Sequence, residues 1–269
     1  MDLEDKVLEV IDVGVVKYKE LLDMQSKNNE ELKNDVLYIA QCEKHIDFGN
    51  NKKKNKFSLE AEEKLTEKYG ILMDEKGYVK EEILRDLEGN GFEDYGFSVS
   101  KRGGGSTVIG PGQTLFFFSA DVKGWTGSDD AVKSLKPVVS MFNDVMLNSL
   151  KEYVGEELFL QNQGYSEMLK DDNFDVAYLK EGKPYKLGSK GLMLHNTLEG
   201  LRIKGGFSIH GTRRGIEGFN LVHACGISPE EIGIGCIEDL TLFDRDKFIG
   251  YVLDEVKENM NYTKINYKN

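Results

Sequence analysis

Residues 102–113 read Arg-Gly-Gly-Gly-Ser-Thr-Val-Ile-Gly-Pro-Gly-Gln, and residues 114–122 continue as Thr-Leu-Phe-Phe-Phe-Ser-Ala-Asp-Val. Glycine lets a backbone come close to a ligand and turn its N–H groups toward it. Two familiar nucleotide-binding patterns share that property, and neither fits. No Gly-Lys-Ser/Thr follows the glycines, and no helix with an acidic residue about 20 positions on is apparent. Without a ligand, the segment reads as a tight loop between two strands, Gly-Phe-Ser-Val-Ser at 96–100 and the apolar run after Gln113.

Outward from that loop, the chain alternates strand and helix patterns. Residues 6–12 predict a first strand, 14–32 a helix, and 36–42 (VLYIAQC) a buried strand. Residues 58–69 predict a helix with Ser58 as N-cap, and 79–88 a second one ended by Gly89-Asn90-Gly91. With the basic run at 50–56, these helices make 50–92 read as a polar, self-contained insertion. A long helix is expected over 130–154 and short strands over 158–161, 175–179, 190–195, 201–209 and 216–222. A last helix over 244–258 is capped by Asp244. No repeat or long linker divides the chain. An α/β (α+β) fold in one domain over 1–269 accommodates the pattern better than two domains.

The chain has 269 residues, 39% hydrophobic and 30% charged, enough to build a core without disulfides or metal. Lys and Arg total 35 against 47 acidic residues, a net charge of −12, which argues against a general nucleic-acid binder. No apolar stretch is long enough for a membrane span, and the acidic start MDLEDKVLEV lacks signal-peptide order. The three cysteines, Cys42, Cys225 and Cys236, form no CxxC, so a reducing, cytoplasmic setting with free thiols is expected. The four histidines show no metal-ligand spacing, and no metal is expected.

The glycine segment resembles the signature of the lipoate-biosynthesis octanoyltransferases, the octanoyl-carrier-protein:protein octanoyltransferases of the biotin/lipoate protein ligase superfamily. Their pattern runs Arg-Gly-Gly-x-x-Thr-x-His-Gly-Pro-Gly-Gln. Arg102, Gly103, Gly104, Thr107, Gly110, Pro111, Gly112 and Gln113 match in register, and Ile109 stands at the histidine position. Tyr18 and Gln25 in the opening helix, GFSIHG ending in His210-Gly211, and FNLVHACGI carrying Cys225 resemble the family in the same order. Asp47-Phe48 departs from the family's Thr-Leu, and Ala224 from its proline.

The resemblance implies a biotin/lipoate protein ligase-like fold, with a central mixed sheet flanked by helices. It implies acyl transfer from acyl carrier protein to a lysine of lipoyl-domain proteins, such as dehydrogenase E2 subunits and the glycine cleavage H protein. No cofactor, metal, nucleic acid or membrane is implied. A thiol suits a thioester donor, and a nearby lysine favours its thiolate. Cys225 is then the nucleophile, with Lys190 as its lysine and Lys204 as the rival. By itself a lone cysteine reads as a small buried hydrophobe, which is how Cys42 and Cys236 are read. Arg102, Gly103, Gly104, Gly105, Ser106, Thr107, Val108, Ile109, Met193, Leu194, His210, Gly211 and Thr212 are the expected substrate-binding residues. Phe116–Phe118, Leu192–Leu194 and Phe219 are candidate walls of an acyl slot, although an aromatic triplet is also ordinary core. Lys52–Lys54, Lys56, Lys101, Arg102, Arg213 and Arg214 are basic residues that an acidic partner would meet. Two other readings stay open: an ATP-dependent lipoate- or biotin-protein ligase, and a non-catalytic acyl- or carrier-protein-binding module.

Overall fold

The computed structural model describes residues 6–31, 34–155, 177–181, 183–197, 200–223 and 233–268. Strand β1 (Val7–Val16) leads to helix α1 (Tyr18–Glu30), β2 (Asp35–Cys42) and β3 (His45–Phe48). A 3-10 turn at Lys52–Lys54 precedes α2 (Leu59–Tyr69), α3 (Glu81–Asn90), β4 (Gly96–Val99) and β5 (Thr107–Ile109). Strand β6 (Gln113–Asp121) is followed by α4 (Lys123–Thr126) and α5 (Ala131–Val154). Then come β7 (Ala177–Lys180), β8 (Lys183–Lys186), β9 (Gly188–Thr197) and β10 (Gly200–His210). A 3-10 helix at Arg213–Asn220, β11 (Gly233–Ile234), a 3-10 turn at Ile237–Asp239, α6 (Arg245–Asn259) and β12 (Lys264–Lys268) complete the order.

Among the described residues, the main sheet has the order β12-β1-β2-β6-β10-β9, with β3 between β4 and β5 and β8 between β7 and β11 in two small sheets. Strand β1 runs parallel to β12 and β2, while β2, β6, β10 and β9 pair antiparallel, so the sheet is mixed. Helix α1 covers one face and α5 with α6 the other, with Phe116, Phe118, Phe142, Phe207 and Phe248 buried together on the α5 side. This double cover explains why β6 is buried from Gln113 to Ala120 and carries an unbroken apolar run over 115–118 instead of alternating.

The helices expected from the sequence form where their caps lie. Ser58 Oγ accepts from Ala61 N at 3.2 Å, and Asp244 Oδ1 from Lys247 N at 3.1 Å. Val15 and Val16, expected in the first helix, instead extend β1 past a register shift at Gly14, whose φ is +67°. The strand expected over 216–222 is corrected: Arg213–Asn220 is a 3-10 helix. Ile216 and Phe219 are three residues apart, the period of that helix, and Phe219 is buried. The strand expected over 158–161 lies outside the described residues. Helices α2 and α3 close over a second core in which Phe57 packs on Phe48 and Phe92, with ring centroids 5.0 and 5.9 Å apart. That core also takes in Phe97, Val108 and Phe219, so the 50–92 segment packs against β3, β4 and the 3-10 helix after β10.

Phe142 lies 5.3 Å from Phe118 and 5.5 Å from Phe207 between ring centroids, and it is fully buried. Phe142→Ala is expected to lower unfolding free energy by about 3–5 kcal/mol, read from a urea titration.

Candidate active site

The glycine segment is held down by its own arginine. Arg102 Nε donates to Asp47 Oδ2, and Nη2 donates to the carbonyls of Asp47 at 2.7 Å and Gly105 at 2.8 Å. Asp47 on β3 is fully buried and also accepts from Ser98 Oγ at 2.7 Å and Ser100 Oγ at 2.9 Å. Ser98 Oγ in turn meets His45 Nε2 at 2.8 Å, and burial lowers the basicity of that imidazole. The Tyr18 ring stands 5.1 Å from His45, and its phenol is pushed well above its ordinary pKa, chiefly by burial and next by Asp47. The departure Asp47 therefore supplies the counter-charge for Arg102. Arg102 acts here as a clamp, its guanidinium engaged by Asp47 and by loop carbonyls.

The segment's far end is locked to the turn after β10. Gly211 N and Thr212 N both donate to Gly112 O, at 2.9 and 3.1 Å. Gly112 has φ +93°, and a Cβ there would sit 2.2 Å from Thr212 Oγ1, so the close approach needs glycine. Buried Gln113 donates to Val108 O at 3.1 Å and Gly215 O at 2.6 Å.

Between this clamp and α1 runs a groove over the sheet. Its wider part, about 240 Å³, is lined by Tyr18, Leu22, Gln25, Phe117, Gly191, Met193, Lys204 and the 100–102 backbone stretch. Its inner end, about 40 Å³, is bordered by Thr107, Ile109, Leu115, Ser189 and Ser208. Strand pairing sets the floor: Gly191, Gly206 and Phe117 are side by side in register, and Met193, Lys204 and Ser119 form the next row. Two facing glycines leave that floor bare, which opens a slot beside an aromatic ring.

Of the residues singled out from sequence, the groove brings together Arg102, Thr107, Ile109, Met193 and Lys204. Gly103, Gly104 and Gly105 form the clamped rim, where Asn51 N donates to Gly104 O at 3.0 Å. Ser106 Oγ donates to His223 O at 2.5 Å, and Val108 belongs to the second core. Leu194 packs on the α5 side. His210 is buried, with Nδ1 3.1 Å from Gly235 O and its ring 5.3 Å from Phe219. Lys190 borders the inner end, but its ammonium donates to Asn143 Oδ1 on α5 at 2.9 Å. Among the proposed walls, only Phe117 and Met193 face the main groove. Cys225 lies outside the described residues. The chain leading to it is fixed at His223 by Ser106 and Lys56 O, and the chain leaving pairs with β8 at Gly233–Ile234.

Two features were missed. Lys186, on β8, is 4% exposed and pairs in register with Ile234. A lysine is seldom this buried, and the sequence alone did not reveal its burial. The floor glycines Gly191 and Gly206 were missed as well; a glycine inside a strand pattern is the signal that could have found them. The other two cysteines are poor nucleophiles: burial pushes the thiols of Cys42 and Cys236 up to about 12, with Glu43 adding to the first and Asp239 to the second. Among the described residues no group of His, Cys, Asp or Glu is arranged to hold a metal ion, and no helix is long and apolar enough to cross a membrane.

Neither a protein-family model nor a curated sequence matches the chain. Solved structures do match its fold. One is a candidate lipoate protein ligase from T. acidophilum with bound lipoic acid (TM-score 0.55, 11% identity, 99% of this chain and 88% of that one). A second is lipoate-protein ligase A bound with ATP (0.53, 11%, 98% and 88%). A third is the bi-partite lipoate protein ligase of Thermoplasma acidophilum, from a study that includes its E2 lipoyl domain (0.53, 10%, 98% and 86%). The mixed sheet flanked by helices is thus the biotin/lipoate protein ligase-like fold expected from the glycine segment.

Asp47→Ala leaves the part-buried Arg102 without its counter-charge, and it is expected to cost about 3 kcal/mol of stability in denaturant unfolding. Native protein treated with iodoacetamide near neutral pH is expected to keep Cys42 and Cys236 unmodified, and unfolded protein to label both, read by peptide mass spectrometry.

Proposed function

We propose that the protein transfers a medium-chain acyl group, octanoyl or lipoyl, to a lysine amine of lipoyl-domain proteins. The observation that carries this reading is the groove: a narrow, largely apolar slot with a glycine floor, rimmed by the clamped segment. Structures sharing the fold were solved with lipoic acid bound and in a study with an E2 lipoyl domain, which supports both the ligand class and the acceptor.

In this reading the donor is an acyl thioester of acyl carrier protein. The Cys225 thiolate attacks the thioester carbonyl, the carrier thiol leaves with a proton, and an acyl-Cys225 thioester remains. The acceptor lysine amine then attacks that carbonyl; the C–S bond breaks, an amide forms, and the proton returns the thiol. Backbone N–H groups near the carbonyl would stabilise the oxyanion. Placement favours Lys186 as the lysine that supports the thiolate, because its strand pairs with the chain leaving the Cys225 segment, whereas the Lys190 ammonium is held on the α5 side. The exposed Lys52–Lys54 turn lies against the rim, where Ser106 N donates to Lys54 O at 3.4 Å, and it offers positive charge to acidic carrier and lipoyl domains.

A second reading is an ATP-dependent ligase that activates the free acid, favoured by the neighbour solved with ATP. The engagement of Arg102 with Asp47 removes one cation from phosphate recognition and weighs toward the thioester route.

Incubation with octanoyl carrier protein is expected to add one octanoyl mass to wild-type protein, labile to hydroxylamine and absent in Cys225→Ser. Lys186→Met is expected to slow the gain by about 10²–10⁴-fold, and Lys190→Met by less than about threefold on the same scale. Acylation of a lipoyl domain that needs ATP and free acid, with no mass gain on the protein, would establish the ligase reading instead.

A further inference from the structure

Lys204 stands where the groove changes character. With Met193 it borders both the 240 Å³ slot and a second cavity of about 490 Å³ farther along α1. Its ammonium donates to Ser26 Oγ on α1, so a polar bar crosses from one wall of the groove to the other. On the near side the slot is walled by Leu22 and Phe117. On the far side stand Asn29, Glu30, His195 and Asn196. Burial, aided by the charges of Lys204 and Arg202, keeps the His195 imidazole less basic than usual.

We propose that the Lys204–Ser26 contact is the length gauge of the groove, admitting a medium-chain acyl group and turning away a long one. This rests on the acyl-transfer reading above. In the acyl-transfer reading the reacting carbonyl lies at the narrow inner end of the groove, beside the row formed by Ser189 and Ser208, and the alkyl chain runs from there toward Lys204. Four residues separate that row from the Met193–Lys204 row, about 13–14 Å along the strand. An extended alkyl chain advances roughly 1.25 Å per carbon, from bonds of about 1.5 Å at near-tetrahedral angles. An eight-carbon acyl chain then ends about 9 Å along, short of the ammonium, and a chain of about 12 carbons reaches it. Pressing methylenes onto a charge that must give up its serine partner and its water is unfavourable.

The test uses amide analogues of acyl-pantetheine, from 6 to 16 carbons, with binding read by titration calorimetry on the full chain. The analogues are uncharged at the carbonyl and do not react. Wild-type protein is expected to bind the 14-carbon analogue at least tenfold more weakly than the 8-carbon one. In Lys204→Met, of similar reach and no charge, the ratio of the two Kd values is expected to fall at least fivefold. Ser26→Ala, which frees the ammonium to swing away, is expected to move the ratio the same way. Equal binding of both lengths by wild type, or an unchanged ratio in both variants, overturns the gauge. Free octanoate that binds tenfold more tightly than its neutral analogue, and loses that advantage in Lys204→Met, overturns it too, because Lys204 is then a carboxylate anchor. Binding of no chain length to wild type overturns the acyl reading itself, and the gauge with it.

Discussion

The ion pair of part-buried Arg102 with fully buried Asp47 is the constraint from which the site follows. A guanidinium and a carboxylate taken from water are costly, and attraction offsets that cost only when every remaining donor finds an acceptor. Here the fork of Arg102 is shared between the carboxylate and the carbonyls of Asp47 and Gly105, while two serines complete Asp47. One network thereby ties the glycine segment, β3 and β4 together. The rim of the groove is set by it.

The two faces of that sheet are built by different physics. The α5 face is a stack of phenylalanines, held by area and ring geometry. The α1 face is joined by a buried polar seam. Gln25 Nε2 donates to Phe118 O at 2.9 Å, Asn28 Nδ2 to Ser119 Oγ at 2.8 Å, and Arg202 Nε to Asn29 Oδ1 at 2.9 Å. Apolar packing tolerates sliding, but directional bonds of this kind hold the helix at one height and register above the strands. A groove between helix and sheet needs that fixed spacing, which is why the slot opens beside α1.

Strand parity separates the lysines. Lys190 and Met193 differ by an odd number of positions on β9, so their side chains leave opposite faces, and only the second meets the slot. Lys204 is opposite Met193 and shares its face. Lys186 sits on another strand, in the interior, beside the chain that follows the Cys225 segment. Three lysines close together in sequence thus have three different surroundings.

The glycine segment, the apolar run of β6 and the caps at Ser58 and Asp244 were legible in the sequence because each acts locally, through backbone freedom, hydrophobic pattern or a side chain bonding a nearby N–H. The fold itself, and Arg102, Thr107, Ile109 and Met193 as site residues, were implied only by the family resemblance of that segment; the structure lines one groove with these four. The faces were not legible. A one-residue difference in strand register moves a side chain from groove to core, and register is decided by pairing partners far along the chain. The 3-10 helix at Arg213–Asn220 likewise depends on Phe219 finding the second core. The role of Asp47 needed Arg102, 55 residues away, to be brought beside it. Local pattern determined which elements form; long-range pairing and burial alone decided which charges meet.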